Sequence, residues 1–238
     1  MIKGIQKIFS EVAETYELVN HILTLGMDRR WRKKAALETS PANGSLWLDV
    51  CSGTGEMAEC LLSLSGGKVR IVAVDFSPQM FARAGQKSQS RKMLLTQAEA
   101  DKLPFLDETF DLVTISFATR NIHVSQEILI QTFKEFHRVL KLGSRFVNLE
   151  TSQPRSKLIR KLFHSYVKLA VKPVGFLISG SKAGYTYLSQ TIPRFYFPEA
   201  LSRILVEAGF SQVGFKRLFF GVAAIHTAMK SSDHHSSG

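Results

Sequence analysis

Cysteine is nearly absent. Cys51 and Cys60 are the only two in 238 residues, which cannot make a disulfide framework or, by themselves, a zinc site. The first thirty residues carry Glu11, Glu14 and Glu17 and no apolar run long enough for a secretory h-region, so a cytoplasmic, reducing compartment is expected. Long hydrophobic spans are lacking too. The greasiest stretch, 158–180, is interrupted by Arg160, Lys161, His164, Lys168, Lys172 and Pro173, too polar to cross a bilayer. With 45 % apolar, 21 % charged and 10 % aromatic residues, the composition excludes disorder, collagen and a disulfide-stapled mini-protein. The length suits one α/β domain with an insert, expected over 1–230, with a disordered polar tail at 231–238.

A local absence says more. Residues 151–198 hold no Asp or Glu, whereas Arg155, Lys157, Arg160, Lys161, Lys168, Lys172, Lys182 and Arg194 supply much of the formal net charge of +11. The same segment carries Phe163, Tyr166, Phe176, Tyr185, Tyr187, Phe195, Tyr196 and Phe197. Basic, aromatic and aliphatic side chains together suit an anionic membrane surface, a lipidic ligand or RNA. A plain cationic solvent face over a core would have the same composition.

Ile5, Ile8, Phe9, Val12, Tyr16, Val19 and Leu23 recur at helical steps, predicting an amphipathic helix that runs into the basic stretch 28–34 and covers the core from within residues 1–40. Buried strands are expected at 46–51, 69–75, 93–97, 110–117 and 144–150. Helices are expected at 56–65, 78–88 and 126–140, the last closed by Gly143. This alternation argues for a doubly wound, mostly parallel α/β sheet. A further helix from Pro198 to Gly209 precedes two strand-like runs, 213–219 and 222–229, which meet at Phe220-Gly221 and are expected to pair antiparallel at one edge.

Gly53-Thr54-Gly55 follows the first strand and opens a helix, with Asp75 at the end of the next strand. Glycines let the backbone turn tightly beside a ligand, and the Asp75 carboxylate can accept both hydroxyls of a ribose, so a nucleoside ligand is expected. Charge narrows the choice. Asp49 and Glu56 flank the glycines and would repel a pyrophosphate, whereas the sulfonium and ammonium of S-adenosylmethionine are attracted by them. Asp49 as a simple loop cap predicts the same fold. Glu99, with Ala100 beside it, follows the third strand at the adenine end. Arg120-Asn121 follows the fourth, where open α/β sheets place their chemistry; a surface turn there would need no explanation.

These residues resemble the ubiquinone/menaquinone biosynthesis C-methyltransferases of the UbiE/MenG type, class I S-adenosylmethionine-dependent enzymes, from about Phe9 to His226. Phe9, Tyr16, Asn20, Gly26, Asp28 and Trp31 match the N-terminal motif. Leu48-Asp49-Val50 with Gly53-Thr54-Gly55 matches the cofactor loop, and Ile115-Ser116-Phe117 with Arg120-Asn121-Ile122 matches the narrower second signature; Gly221-Val222 with His226 closes the match. The chain departs from the family at Cys51-Ser52, usually Ala-Gly, at Ala118-Thr119, usually Gly-hydrophobic, and at Ala183, where an acid is common.

The resemblance implies a Rossmann-like, seven-stranded class I methyltransferase fold that methylates a ring carbon of a reduced prenylated quinone, either demethylmenaquinol or the corresponding benzoquinol. Thr54, Asp75, Glu99, Ala100 and Ser116 fall on cofactor contacts, and Asp49, Gly53, Gly55 and Phe76 complete that set. Arg120 falls on an arginine proposed to organise proton removal. It would stabilise a quinolate while Asn121 orients it, and water, Tyr16, Tyr185 or His123 would take the proton, an arginine being no direct base. No metal is expected, and His226 reads as structural. The basic insert then becomes a substrate lid at 151–198 that meets lipid head groups at the inner face of the membrane. A homodimer stays open. Competing readings are a methyltransferase for another small hydrophobic or phenolic acceptor and an RNA-binding module. Against the latter, the insert is mostly aliphatic and has no RNA motif, so no nucleic-acid partner is expected.

Overall fold

A computed structural model describes residues 11–87, 92–123 and 125–231; Ile5, Ile8, Phe9 and the tail from 232 lie outside them. Among the described residues the N-terminal segment is broken into separate helices, α1 (Tyr16–Leu23) and α2 (Met27–Ala36), rather than the continuous one expected. Leu25 and Gly26 both take left-handed backbone angles, φ +52° and +74°. At Gly26 an added Cβ would lie 3.2 Å from the His21 ring, so glycine serves the break on both counts. In the basic stretch after it Arg29, Arg30, Lys33 and Lys34 are exposed, whereas Asp28 and Arg32 are buried and paired.

Strand β1 (Ser45–Val50) leads through the glycine loop into α3 (Glu56–Ser65), then β2 (Val69–Asp75) and α4 (Pro78–Gly85). The α4 start is fixed by Pro78 in its first turn and by Ser77, whose side chain accepts from the Met80 amide; both devices suit orphan N–H groups. Next come β3 (Met93–Gln97), β4 (Phe110–Ser116), the short α5 (Thr119–Ile122), α6 (Gln126–Val139) and β5 (Leu140–Thr151). Gly143 does not close α6, as its type suggested. The chain extends at Leu140, which already pairs with Phe110, and Gly143 at φ +73° sits inside the long β5 where the register slips. β4 stops one residue early because Phe117 turns to φ +55°.

The insert is helical: α7 (Lys157–Tyr166), a π-helical turn at Val167–Val171, α8 (Lys172–Ser179) and α9 (Lys182–Thr191). α10 (Pro198–Glu207), β6 (Ser211–Leu218) and β7 (Ala223–Met229) follow. The seven strands lie in the order β3-β2-β1-β4-β5-β7-β6, all parallel except β7, which is antiparallel to β5 and β6.

Alternation along β1 sends Leu48 and Val50 into one apolar layer with Phe110, Phe133 and Phe146, and Trp47 into the other with Leu61, Ile71 and Leu112. A third cluster, with Val19, Val167, Val171 and Tyr185, joins the N-terminal cover to the insert. β2 and β4 flank β1, so successive units wind outward in opposite directions. The crevice at the carboxyl ends of β1 and β4 is where ligands bind in such sheets.

Candidate active site

Two clefts meet at that crevice. In the loop of the first, Cys51, Gly53 and Gly55 take φ of +53°, +56° and +80°. A Cβ added at Gly55 would lie 3.4 Å from that of Ala84, so the loop is seated on α4, whereas at Gly53 it would meet nothing within 4 Å. The bare Gly53 borders the open cleft.

Asp75 ties this loop to the end of β2. Its Oδ2 accepts from the Gly53 amide and its Oδ1 from the Ser77 amide, both at 2.9 Å. Burial raises its pKa while these amides and that of Phe76 pull it down, and the carboxylate lines the cleft.

Asp49 lies behind the loop, fully buried. Its Oδ1 accepts from Thr114 Oγ1 at 2.7 Å and its Oδ2 has no hydrogen-bond partner. Burial pushes this carboxyl up to about 7; Thr114 and the Arg32 charge oppose the rise and Asp75 adds to it. A buried, half-satisfied carboxyl of this kind favours a cation in front of it.

Arg32 is the cation that lines this cleft, and it is already engaged. Nη1 meets Asp28 Oδ2 at 3.0 Å and Nη2 meets Glu56 Oε2 at 2.9 Å, while the guanidinium lies 5.2 Å from the centre of the Phe117 ring. Glu56 is therefore not the free carboxylate expected from its place beside the glycines. Burial still raises its pKa, against the Arg32 charge.

The second cleft, about 370 Å³, is walled mainly by apolar side chains of α1, α2 and the insert, including Trp31, Phe163, Val171 and Leu188. Its volume is at the lower end of the range for sites that bury a drug-sized ligand. Leu25, Leu162, Phe219 and Phe220 line it and are exposed. Among its polar members is Arg120, whose amide donates to Glu150 Oε2 at 3.1 Å and whose Nη1 donates to Glu150 Oε1 at 3.2 Å and Thr151 Oγ1 at 2.9 Å. Arg120 Nε has no partner.

A family model described as the ubiE/COQ5 methyltransferase family matches residues 2–230. The chain belongs to this family. It is 39 % identical over 224 residues to the Demethylmenaquinone methyltransferase of Thermus thermophilus, covering 92 % of this chain and 98 % of that one. The protein of that name from Lactiplantibacillus plantarum is 35 % identical over 235 residues, with 97 % and 98 % covered. Solved structures agree in fold. The methyltransferase in the Haloferax volcanii Trm112 complex aligns with TM-score 0.66 at 16 % identity over 94 % of this chain and 98 % of that one. Human N-acetylserotonin methyltransferase in complex with SAM aligns with TM-score 0.63 at 17 % identity over 90 % and 55 %. The chain is thus an S-adenosylmethionine-dependent methyltransferase of class I fold.

In this ubiE/COQ5 methyltransferase, Gly53, Thr54, Asp75, Phe76, Ser116 and Asn121 line the first cleft. Glu99 borders a shallow groove that shares Phe76 with it. Asp49 stands behind the loop and Ala100 is in the core; with Gly55, they fall outside the cleft wall. Arg120 and Asn121, consecutive on α5, line different clefts: Arg120 the apolar one, Asn121 the first.

Tyr16 lines both clefts and is half-buried; desolvation of its hydroxyl raises its pKa while Asn20 hydrogen-bonds it. Tyr185 is not brought to either cleft. It packs in the core of the insert over Gly175, where a Cβ would lie 2.0 Å from its ring, and burial pushes its hydroxyl up to about 12. His123 pairs with the Tyr196 hydroxyl at 2.9 Å, outside both clefts. His226 meets the Pro198 carbonyl at 3.0 Å inside β7, and burial lowers it to about 4.

Sequence reasoning missed Glu150, Thr114 and the Asp28–Arg32–Glu56 group. The available signal was an acid, Glu150, in the buried carboxyl-terminal half of the fifth strand.

Proposed function

We propose that this methyltransferase places a methyl group on a ring carbon of a reduced prenylated quinone, demethylmenaquinol or the equivalent benzoquinol, within one catalytic unit whose cover is 1–40 and whose lid is 151–198. The observation that carries the reading is an apolar cleft abutting the cofactor cleft with a buried guanidinium, Arg120, in its wall. The relatives' names support it, and so does that of the protein from Desulfotalea psychrophila, 31 % identical, called Ubiquinone/menaquinone biosynthesis C-methyltransferase UbiE.

When bound, S-adenosylmethionine supplies an electrophilic methyl group. Asp75 would take the ribose hydroxyls, Phe76 and Glu99 the adenine end, and Gly53, Thr54 and Ser116 the remainder, with the Asp49 carboxyl behind the loop favouring its positive charge. A ring carbon becomes nucleophilic when an adjacent hydroxyl loses its proton. Arg120 lowers the cost of that oxyanion, held in place by Glu150 and Thr151. Asn121 orients the acceptor, and the hydroxyl proton leaves through water or Tyr16. Once the carbon has taken the methyl group and the sulfur has left as neutral thioether, the ring carbon gives up its own hydrogen to the same route and the ring oxygen is reprotonated, restoring the aromatic quinol. The aromatic and aliphatic walls take the ring and the first part of the prenyl chain; a longer chain leaves past Phe219, Phe220 and Leu162.

The exposed end of that path lies beside a lipid-binding surface. α7, the π-helical turn and α8 expose Leu158, Leu162, Leu169, Phe176 and Leu177, flanked by Lys157, Lys161, Lys168 and Lys172. Such a helix lies in the interface of an anionic bilayer, and the enzyme docks peripherally on the cytoplasmic face. No helix among the described residues is long and apolar enough to cross a membrane.

The test is incubation of the pure protein with labelled S-adenosylmethionine and two reduced acceptors, a short-chain demethylmenaquinol and a methoxy-benzoquinol, with products identified by mass spectrometry. Label on a ring carbon supports the reading and selects the branch. Intact cofactor binding with no transfer to either quinol would overturn it in favour of another small hydrophobic or phenolic acceptor.

A further inference from the structure

Among the described side chains lining the two clefts, only Tyr16 and Arg32 line both. A methyl group that leaves one cleft for the other passes between them. We propose that Arg32 is a positioning residue for the transfer: its guanidinium clamps the roof helix α2 onto the first turn of α3 and so sets the separation of the two reactants. This rests on the functional reading above, because it needs the cofactor in one cleft and the acceptor in the other.

The fork joins three elements, each of which carries a ligand-facing group. Nη1 holds Asp28 on its own helix, and Asp28 is held in turn by Thr24 Oγ1 at 2.9 Å and His21 Nδ1 at 3.0 Å, so the clamp reaches back to the end of α1, the helix that begins with Tyr16. Nη2 holds Glu56, the residue directly after the glycine loop. The guanidinium lies over Phe117, between Ser116 and the α5 residues Arg120 and Asn121. A planar guanidinium can bridge two carboxylates and stack at once; an ammonium cannot. Buried ion pairs of this kind add little net stability over an apolar filling. Transfer, however, is steeply sensitive to placement, a misplacement of about 1 Å costing on the order of a hundredfold.

The first test is the full-length Arg32→Lys variant, which keeps the charge and loses the fork. Expected are a Tm close to wild type, a Kd for S-adenosylhomocysteine and a KM for a short-chain demethylmenaquinol within about threefold of wild type, and a kcat at least about tenfold lower. Glu56→Gln, which keeps the Asp28–Arg32 pair and weakens only the cross-link, should lower kcat in the same way. The double variant should be no slower than the slower single one. A kcat within twofold of wild type for Arg32→Lys, or losses that add in the double variant, would overturn the clamp, as would a lowered Tm with kcat intact.

A second readout needs no acceptor and is decisive whether or not the quinol reacts or a variant turns over. In the wild type, S-adenosylhomocysteine should slow hydrogen exchange of α2 amides as well as of the glycine loop. In Arg32→Lys the protection should stop at the loop and α3. α2 protection that persists in the variant, or that is missing from the wild type, counts against the clamp. Absent turnover of the quinol by the wild type, with α2 protection normal, counts only against the acceptor.

Discussion

A carboxyl shut away from water with one of its oxygens unpaired gives up its proton late, and Asp49, pushed up to about 7, is that group here. If the ionised form is the one that favours the cationic cofactor, affinity should rise about tenfold between about pH 6 and pH 8 and then level off. Calorimetric titrations across that range check it, and Asp49→Asn should flatten the curve. Stability should run the other way. The folded-state pKa lies above the ordinary carboxyl value, so the contribution is full below about pH 4 and is lost as pH climbs through about 7; urea midpoints of wild type and Asp49→Asn report it.

Glu150 acts on the other reactant. Replacing it with Gln removes the counter-charge from Arg120 and strengthens the positive potential where the acceptor oxygen would lie. The rising limb of the kcat/KM pH profile should move at least half a unit lower, alongside a stability loss of about 3–5 kcal/mol from unpairing a buried charge. An unmoved limb would remove Glu150 from any role in tuning Arg120. The sequence pointed to Arg120 but not to Glu150, because residues thirty apart meet only when β5 settles beside β4.

Elements were legible wherever apolar runs end at residues with one backbone habit. The reading of 56–65, 69–75 and 93–97 coincides with α3, β2 and β3 because Gly55, Gly66 and Pro78 punctuate the chain. Gly26 and Gly143 misled for opposite reasons. The helical period carries through Gly26 although the helix does not, and Gly143 has the backbone of a helix stop but serves a long strand. In the insert, Gly175 makes room for Tyr185 against α8. Gly175→Ala should loosen the hairpin of α8 and α9, costing about 1–3 kcal/mol in overpacking. Faster cleavage of the helical insert by trypsin, with S-adenosylhomocysteine binding unchanged, is the expected signature. On the outer face, Lys157, Lys161 and Lys168 changed together to Glu should abolish sedimentation with anionic liposomes; partitioning equal to wild type would show that charge has no part in docking.

At the scale of the molecule, the order β3-β2-β1-β4-β5-β7-β6 puts the two chemistry-bearing strand ends side by side at its centre. The alternation of strands and helices announced a sheet of this kind, and the hairpin of β6 and β7 at one edge was expected from its turn. What the sequence could not announce is how the roof meets the sheet, because that depends on partners far away along the chain. Val19 of α1 shares its apolar cluster with Val167, Val171 and Tyr185, and Glu38, just past α2, gives its carbonyl to the Arg145 guanidinium of β5.

That arrangement has a consequence for birth on the ribosome. The roof helices leave the exit tunnel early, yet the surfaces that cover Val19 and receive Glu38 are made more than a hundred residues later, on the order of ten seconds or more at ordinary elongation rates. For that interval the nascent chain carries an amphipathic segment with no seat, in reach of chaperones and of any nearby bilayer. Helices α1 and α2 are made before the surfaces that seat them and are therefore among the last elements to be locked in place.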